Sequence, residues 1–257
     1  MIYYLSLAET LFLFVSLCFG ASVLLRRNDV ADVAWGLGFV LLAWVSFAAG
    51  VGHSPRGLVV STLVSIWGLR LALSIYRRHQ GQPEDYRYRA WRDRWGKWFY
   101  VRSYAQVYLF QGGLIFLIAL PILAINYSVS SALGWLDAVG VMLWLVGFYF
   151  ESVGDSQLAR FKKDPANQGK LMQTGLWSYS RHPNYFGEVT LWWGIWLISL
   201  GLPGGIWTII GPLTITVLIL KVSGLTLLEK KMAKHPDFDS YRRRTSRFWP
   251  RLPRQIE

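Results

Sequence analysis

The sequence predicts an all-α, polytopic integral membrane protein with about seven transmembrane helices, its N-terminus outside and its C-terminus in the cytoplasm. Three observations carry this. Apolar residues make up 53% of the chain and fall in long runs, each of about 20 residues, the length that crosses a bilayer as a helix. Basic residues gather in alternate connections between the runs. No internal repeat or low-complexity linker divides the chain, so residues 1–257 read as one integral domain.

The first run, 3–25, has no basic residue before it and Arg26 and Arg27 after it, the reverse of a secretory leader, so it reads as a retained span. Cys18, the one cysteine, lies inside it, which excludes an intramolecular disulfide and a cysteine metal site. Further spans are expected at 30–50, 57–76, 104–126, 133–153, 185–203 and 205–226. With the N-terminus outside, 24 of the 27 Lys and Arg residues fall on the cytoplasmic side: Arg26 and Arg27, eight from Arg77 to Arg102, five from Arg160 to Arg181, and nine from Lys230 onward. Arg56 falls in an exterior loop, and Arg70 and Lys221 fall within spans. This bias sets the orientation, so a water-soluble ligand should enter from the cytoplasm. The net charge of +12 would suggest nucleic acid in a soluble protein. In a membrane chain it reflects cytoplasmic loops, and no nucleic-acid partner is expected.

The second span opens Asn28-Asp-Val-Ala-Asp-Val-Ala-Trp-Gly36, with Asp29 and Asp32 on one helical face. Asn28 or Asp29 reads as an N-cap. Asp32 lies a turn inside the span, where a carboxylate must be paired, neutralised or engaged with a ligand. Arg70, in the third span, snorkels to the interface, pairs with a carboxylate or binds a ligand. Between Tyr76 and Tyr104, aromatic and basic residues interleave around Glu84 and Asp85. That pattern can stack single-stranded nucleic acid, but here it reads as an interfacial segment with Trp91, Trp95, Trp98 and Phe99 at headgroup depth.

Glu151 and Asp155 end the fifth span, four apart on one face. Such a pair either binds a divalent metal or accepts hydrogen bonds from ribose-type hydroxyls. Lys162, Lys163 and Lys170 follow, then Arg181, so acceptors for a sugar stand beside cations for phosphates. A diphosphate dinucleotide needs both. The densest polar cluster is Gly175-Leu-Trp-Ser-Tyr-Ser-Arg-His-Pro-Asn-Tyr-Phe-Gly-Glu188. Pro183 starts a helix, so Ser178 to His182 should be a turn delivering Arg181, His182 and Asn184 to the cytoplasmic face, with Glu188 one turn into the sixth span. The polar tail follows from Leu228, with Tyr241 available to hydrogen-bond a ligand.

The run from Gly175 to Glu188 resembles the C-terminal half of the membrane-embedded steroid 5-alpha-reductase and sterol-reductase superfamily, especially its bacterial branch of uncharacterised membrane reductases. Asp32-Val-Ala-Trp-Gly36, Glu84-Asp-Tyr-Arg-Tyr88 and the ending from Tyr241 to Pro250 are similar to the same branch. The resemblance implies NADPH as cofactor and a lipid or steroid-like enone as substrate, reduced at its carbon-carbon double bond. It also implies a bacterial inner-membrane protein among membrane lipids, with the cofactor site facing the cytoplasm, a lipid-substrate half over 1–103 and a cofactor half over 104–257. By position, Asp155 would meet the adenine-ribose end, Lys162 and Lys170 the phosphates, and Asn184 and Glu188 the nicotinamide side. Glu151, Tyr179, Arg181, His182, Tyr185 and Tyr241 join the cofactor set, and no metal is expected. Reduction needs an acid near the enone oxygen. The steroid enzymes use a glutamate on the second span, near which Asp32 falls, and a tyrosine on the third, where this chain has Trp67. The hydroxyl must then come from Tyr76, Tyr86 or Tyr88, and Tyr88 is taken with Asp32 as the catalytic pair.

The isoprenylcysteine carboxyl and phospholipid methyltransferases also resemble this stretch at Arg-His-Pro-x-Tyr-x-Gly, and would imply S-adenosylmethionine instead. A glutamate pair completes their motif where this chain has Leu228-Glu229-Lys230. The longer match through Asn184 and Glu188, together with the acids at 151 and 155, favours the reductases.

Overall fold

A computed structural model describes residues 1–129, 132–222 and 224–254. Among these the regular elements are helical, and the β-type pairing is an isolated parallel bridge between Ser180 and Ser246. Helices α1 (Ile2–Leu25), α2 (Val30–Ala49), α3 (Pro55–His79), α4 (Tyr86–Trp95), α5 (Phe99–Ser103), α6 (Phe110–Ile118) and α7 (Leu120–Tyr127) belong to a first compact unit, Met1–Leu133 with Leu202–Ile210. Helices α8 (Trp135–Lys163), α9 (Leu176–Tyr179), α10 (Pro183–Ser199), α11 (Ile210–Val217, from Gly211 on), α12 (Leu225–Met232) and α13 (Phe238–Arg244) belong to a second, Gly134–Gly201 with Gly211–Glu257.

The chain is all-α and polytopic. Among the described residues, five helical stretches are long and apolar enough to cross a membrane: α1, α2, α3, α8 and Gly205–Met232. Tyr86–Ile118 and α7, bent by 53° at their junction, add a sixth if taken as one span. The remaining expected span, 185–203, forms α10 over 17 residues. At about 1.5 Å per residue this is about 25 Å, short of a hydrocarbon core of about 30 Å.

In the first unit, α2 and α3 pack backbone against backbone. A Cβ on Gly36 would stand 2.5 Å from the Gly68 carbonyl oxygen, so small residues set this contact, as is usual between helices in lipid. Phe39 and Trp67 meet edge to face beside it, 5.4 Å apart. A polar seam ties in α7: the Asn126 amide donates to the Ala43 carbonyl at 3.0 Å and to Ser46 Oγ at 2.7 Å. Arg56, expected in an exterior loop, is buried in the first turn of α3, because the Ala132 carbonyl takes its Nη2 at 2.7 Å. Phe99, expected at headgroup depth, is also buried, with the Arg92 guanidinium 4.1 Å over its ring.

In the second unit, α8 and α10 lie equally close. A Cβ on Gly194 would come within 2.6 Å of the Gly140 carbonyl oxygen. The same face runs down to Gly147 and Gly187, which brings the end of α8, with Glu151 and Asp155, against the start of α10.

Candidate functional site

Polar clusters of interest form in each unit. The first gathers at the start of α2. Asn28 is clamped from three sides: its amide donates to Glu84 Oε1 at 2.7 Å, its side-chain oxygen accepts from Ser103 Oγ at 2.7 Å, and its carbonyl accepts from the Tyr108 hydroxyl at 3.2 Å. Asp29 occupies the N-cap position but makes no side-chain cap. It accepts instead from Arg27 Nε and Nη2 at 3.0 and 2.9 Å and from the Asp85 amide at 3.1 Å. Burial pushes the Asp29 carboxyl up, yet Arg27, the Asp85 amide and His79 together outweigh it and hold it below the usual carboxylate range.

Asp32 lies a turn further in. Tyr88, buried on α4, donates its hydroxyl to Asp32 Oδ1 at 2.7 Å, and Arg87 Nη2 donates to Oδ2 at 2.8 Å. These partners are 56 and 55 residues away in sequence. The helix that presents them starts where Asp85 caps it, accepting from the Arg87 amide at 2.9 Å. Arg87 also reaches Asp85 Oδ1 at 2.9 Å. Burial raises the Asp85 carboxyl, but its bonds to Arg87 outweigh that and keep it low. Asp32, His79 and Asp85 each bring a ligand atom within 4.8 Å of the others. The Arg87 guanidinium already supplies the positive charge between the two carboxylates.

The second cluster joins the end of α8 to the start of α10. Asn184 Nδ2 donates to Asp155 Oδ1 at 3.0 Å, whereas Asn184 Oδ1 is buried with no hydrogen-bond partner. Glu151 is buried, Glu188 is half-buried, and Tyr179, Lys162 and Lys170 are exposed. Tyr185 is half-buried and stacks on His182 at 5.9 Å.

The turn before Pro183 is closed over within the second unit. Arg181 and His182 are 4% and 1% exposed, delivered inward and not to solvent. Glu229 on α12 draws them in: its carboxylate accepts from Arg181 Nε and Nη2 at 2.9 and 2.8 Å and lies 3.0 Å from His182 Nε2. Arg181 Nη1 donates to the Thr245 carbonyl at 2.6 Å. Burial lowers the His182 imidazole below its ordinary value, and Glu229 only partly opposes this. Tyr241, expected to face a ligand, is buried and donates its hydroxyl to the Trp177 carbonyl at 2.6 Å. Burial raises its phenol. Sequence reasoning gave no role to Glu229 or Arg87. The one available signal for Glu229 was its place where a related motif carries glutamates.

Chemically this stretch presents two carboxylates a turn apart on α8, lysines in its last turn and at Lys170, and a buried Asn184 carbonyl oxygen able to accept an N–H.

No solved structure matches the chain. A protein of Schizosaccharomyces pombe, described as uncharacterized, is 27% identical over 94% of this chain and 78% of its own length. Residues 18–245 match the family described as a protein of unknown function, DUF1295. The chain, membrane-embedded and matched over most of its length, belongs to that family.

Proposed function

We propose that this protein is an NADPH-dependent reductase of the steroid 5-alpha-reductase type, acting on a carbon-carbon double bond conjugated to a carbonyl in a membrane lipid. The observation that carries the reading is the 2.7 Å hydrogen bond between Tyr88 and Asp32 in the first turn of α2. The two residues expected to supply the acid lie together although neither spacing nor periodicity pairs them. Tyr88 has a single proton, given to Asp32 in this arrangement; with a proton on Asp32 donated to the phenol oxygen instead, the Tyr88 hydrogen is free to reach an enone oxygen and stabilise the negative charge that develops there. NADPH would supply the hydride. Glu151, Asp155, Lys162, Lys170, Asn184 and Glu188 are the residues that would hold it, while Arg181, His182 and Tyr241 would shape its site through the turn they brace. An apolar groove of about 610 Å³ lined by Leu11, Phe12, Val15, Phe110 and Leu117 lies in the unit that holds Asp32 and Tyr88. It suits a lipid substrate. The reading includes the seven-span topology with the C-terminus in the cytoplasm of a bacterium, a lipid half over 1–103 and a cofactor half over 104–257.

One observation favours a second reading, an S-adenosylmethionine-dependent lipid methyltransferase. Glu229 contacts both Arg181 and His182, so a glutamate does complete the Arg-His-Pro motif. Thermal melts of the purified protein in detergent separate the two, because a ligand that binds only the folded state raises apparent stability. Stabilisation by NADPH is expected. Stabilisation by S-adenosylmethionine alone would replace the first reading with the second.

A further inference from the structure

The tail after α13 does not trail from the protein. Ser246 accepts the Arg181 amide at 2.8 Å, Phe248 accepts the Ser180 hydroxyl at 2.8 Å, the Arg251 amide reaches the Tyr179 carbonyl at 3.0 Å, and the Arg254 amide returns to the Arg244 carbonyl at 3.0 Å. This loop curls around an open pocket of about 300 Å³ lined by seven arginines, from Arg181 to Arg254, of which all but Arg181 are exposed. Two acids answer them among the described residues: Glu229, bonded to Arg181 and 4.0 Å from Arg247, and Asp239, 3.2 Å from Arg242. Arg243, Arg251 and Arg254 have no acidic side chain within ion-pair distance among the described residues.

A concave wall of one charge sign focuses its potential and concentrates anions. Guanidinium forks match phosphate oxygens in pairs, and the charge excess over Glu229 and Asp239 calls for a strong anion. The volume is at the low end for a small-molecule site, large enough for a headgroup. Trp249 and Leu252, between the pocket arginines, are 62% and 81% exposed. Apolar groups at a rim of arginines are what an interface with anionic lipid selects.

We propose that this pocket binds the phosphate of an anionic lipid headgroup, with Trp249 and Leu252 resting in the apolar side of the interface. The proposal shares Arg181 with the reductase reading but needs neither Asp32 nor Asn184, and its test leaves Arg181 in place. The test uses the full chain in detergent, with lipids titrated and counted by native mass spectrometry, and melts taken in parallel with inorganic pyrophosphate. The wild type is expected to retain phosphatidylglycerol over phosphatidylcholine at least tenfold, and Arg251→Ala/Arg254→Ala to abolish the preference. Arg160→Ala/Lys234→Ala, which removes as much charge from exposed sites outside the pocket, is expected to leave it intact. No lipid preference, or equal loss in both double variants, overturns the proposal. Stabilisation by pyrophosphate lost in the Arg251/Arg254 variant, without lipid retention, overturns the lipid source and assigns the pocket to a soluble phosphate compound.

Discussion

Replacing Glu229 with Gln removes the carboxylate that receives two Arg181 donors and neighbours His182 while leaving side-chain volume almost unchanged. Arg181 has 5% of its side chain exposed and Glu229 17%. Breaking a buried pair costs about 3–5 kcal/mol. Because Glu229 touches solvent, Gln keeps one acceptor, and the Thr245 carbonyl still holds Nη1, the expected loss is about 2–3 kcal/mol. For a chain of this size that is a fall in Tm of about 4–12 °C. The fourteen tryptophans make intrinsic fluorescence in detergent a suitable probe of the melt. A double-mutant cycle with Arg181→Met isolates the pair: the double variant should lose at least about 1 kcal/mol less than the sum of the singles. A Glu229→Gln melt within 1 °C of wild type, or strict additivity in the cycle, would refute the claim that this pair fastens α10 to α12.

Tyr88→Phe and Asp32→Asn should each lower turnover by about 10²–10³-fold, the effect of losing one donor to a developing oxyanion, while leaving NADPH stabilisation of the melt intact; loss of that stabilisation would move the pair out of the acid's role. Asn184→Ala and Glu188→Gln should weaken NADPH binding about tenfold, one hydrogen bond to a polar ligand group being about 1.4 kcal/mol or somewhat more, and unchanged affinity in both would place the nicotinamide elsewhere. Stability should depend on pH through His182, whose imidazole burial holds below its ordinary value. The unfolded chain takes up that proton near pH 6.5, before the folded one does, so the contribution is complete above about 6.5 and is lost as pH falls below it. Glu229, Arg181 and Arg247 all act on this group. In His182→Gln the decline from pH 6.5 to 5.5 should be shallower than in wild type; an identical or steeper decline counts against a neutral buried imidazole.

Helix identity was legible because a bilayer imposes one length and one composition on each span. The boundaries of α1, α2 and α3 agree with the apolar runs to within a few residues. Carboxylates inside or beside spans were also legible as sites of interest, since their burial demands partners. The partners themselves were not. Asp32 meets Arg87 and Tyr88, and Arg181 meets Glu229, across 48 to 56 residues, and no local period encodes such a separation. The burial of the 178–182 turn was not legible for the same reason. A basic residue before a span looks solvent-facing until a distant acid and a free carbonyl are known to wait on the inner side. Phe99 shows the converse case, an aromatic whose cover comes from an arginine on the preceding helix.

The pairing of Ser180 with Ser246, and of Tyr179 with Arg251, has a consequence for biogenesis. The polar motif around Arg181 is synthesised some seventy residues before the segment that closes over it. Domains assemble from the N-terminal side as translation proceeds, so this turn must wait, unbraced, until residues 246–251 have been made. A ribosome that stalls within the arginine-rich segment would release a protein whose helices are inserted but whose motif is still open, and quality-control proteases would meet it in that state.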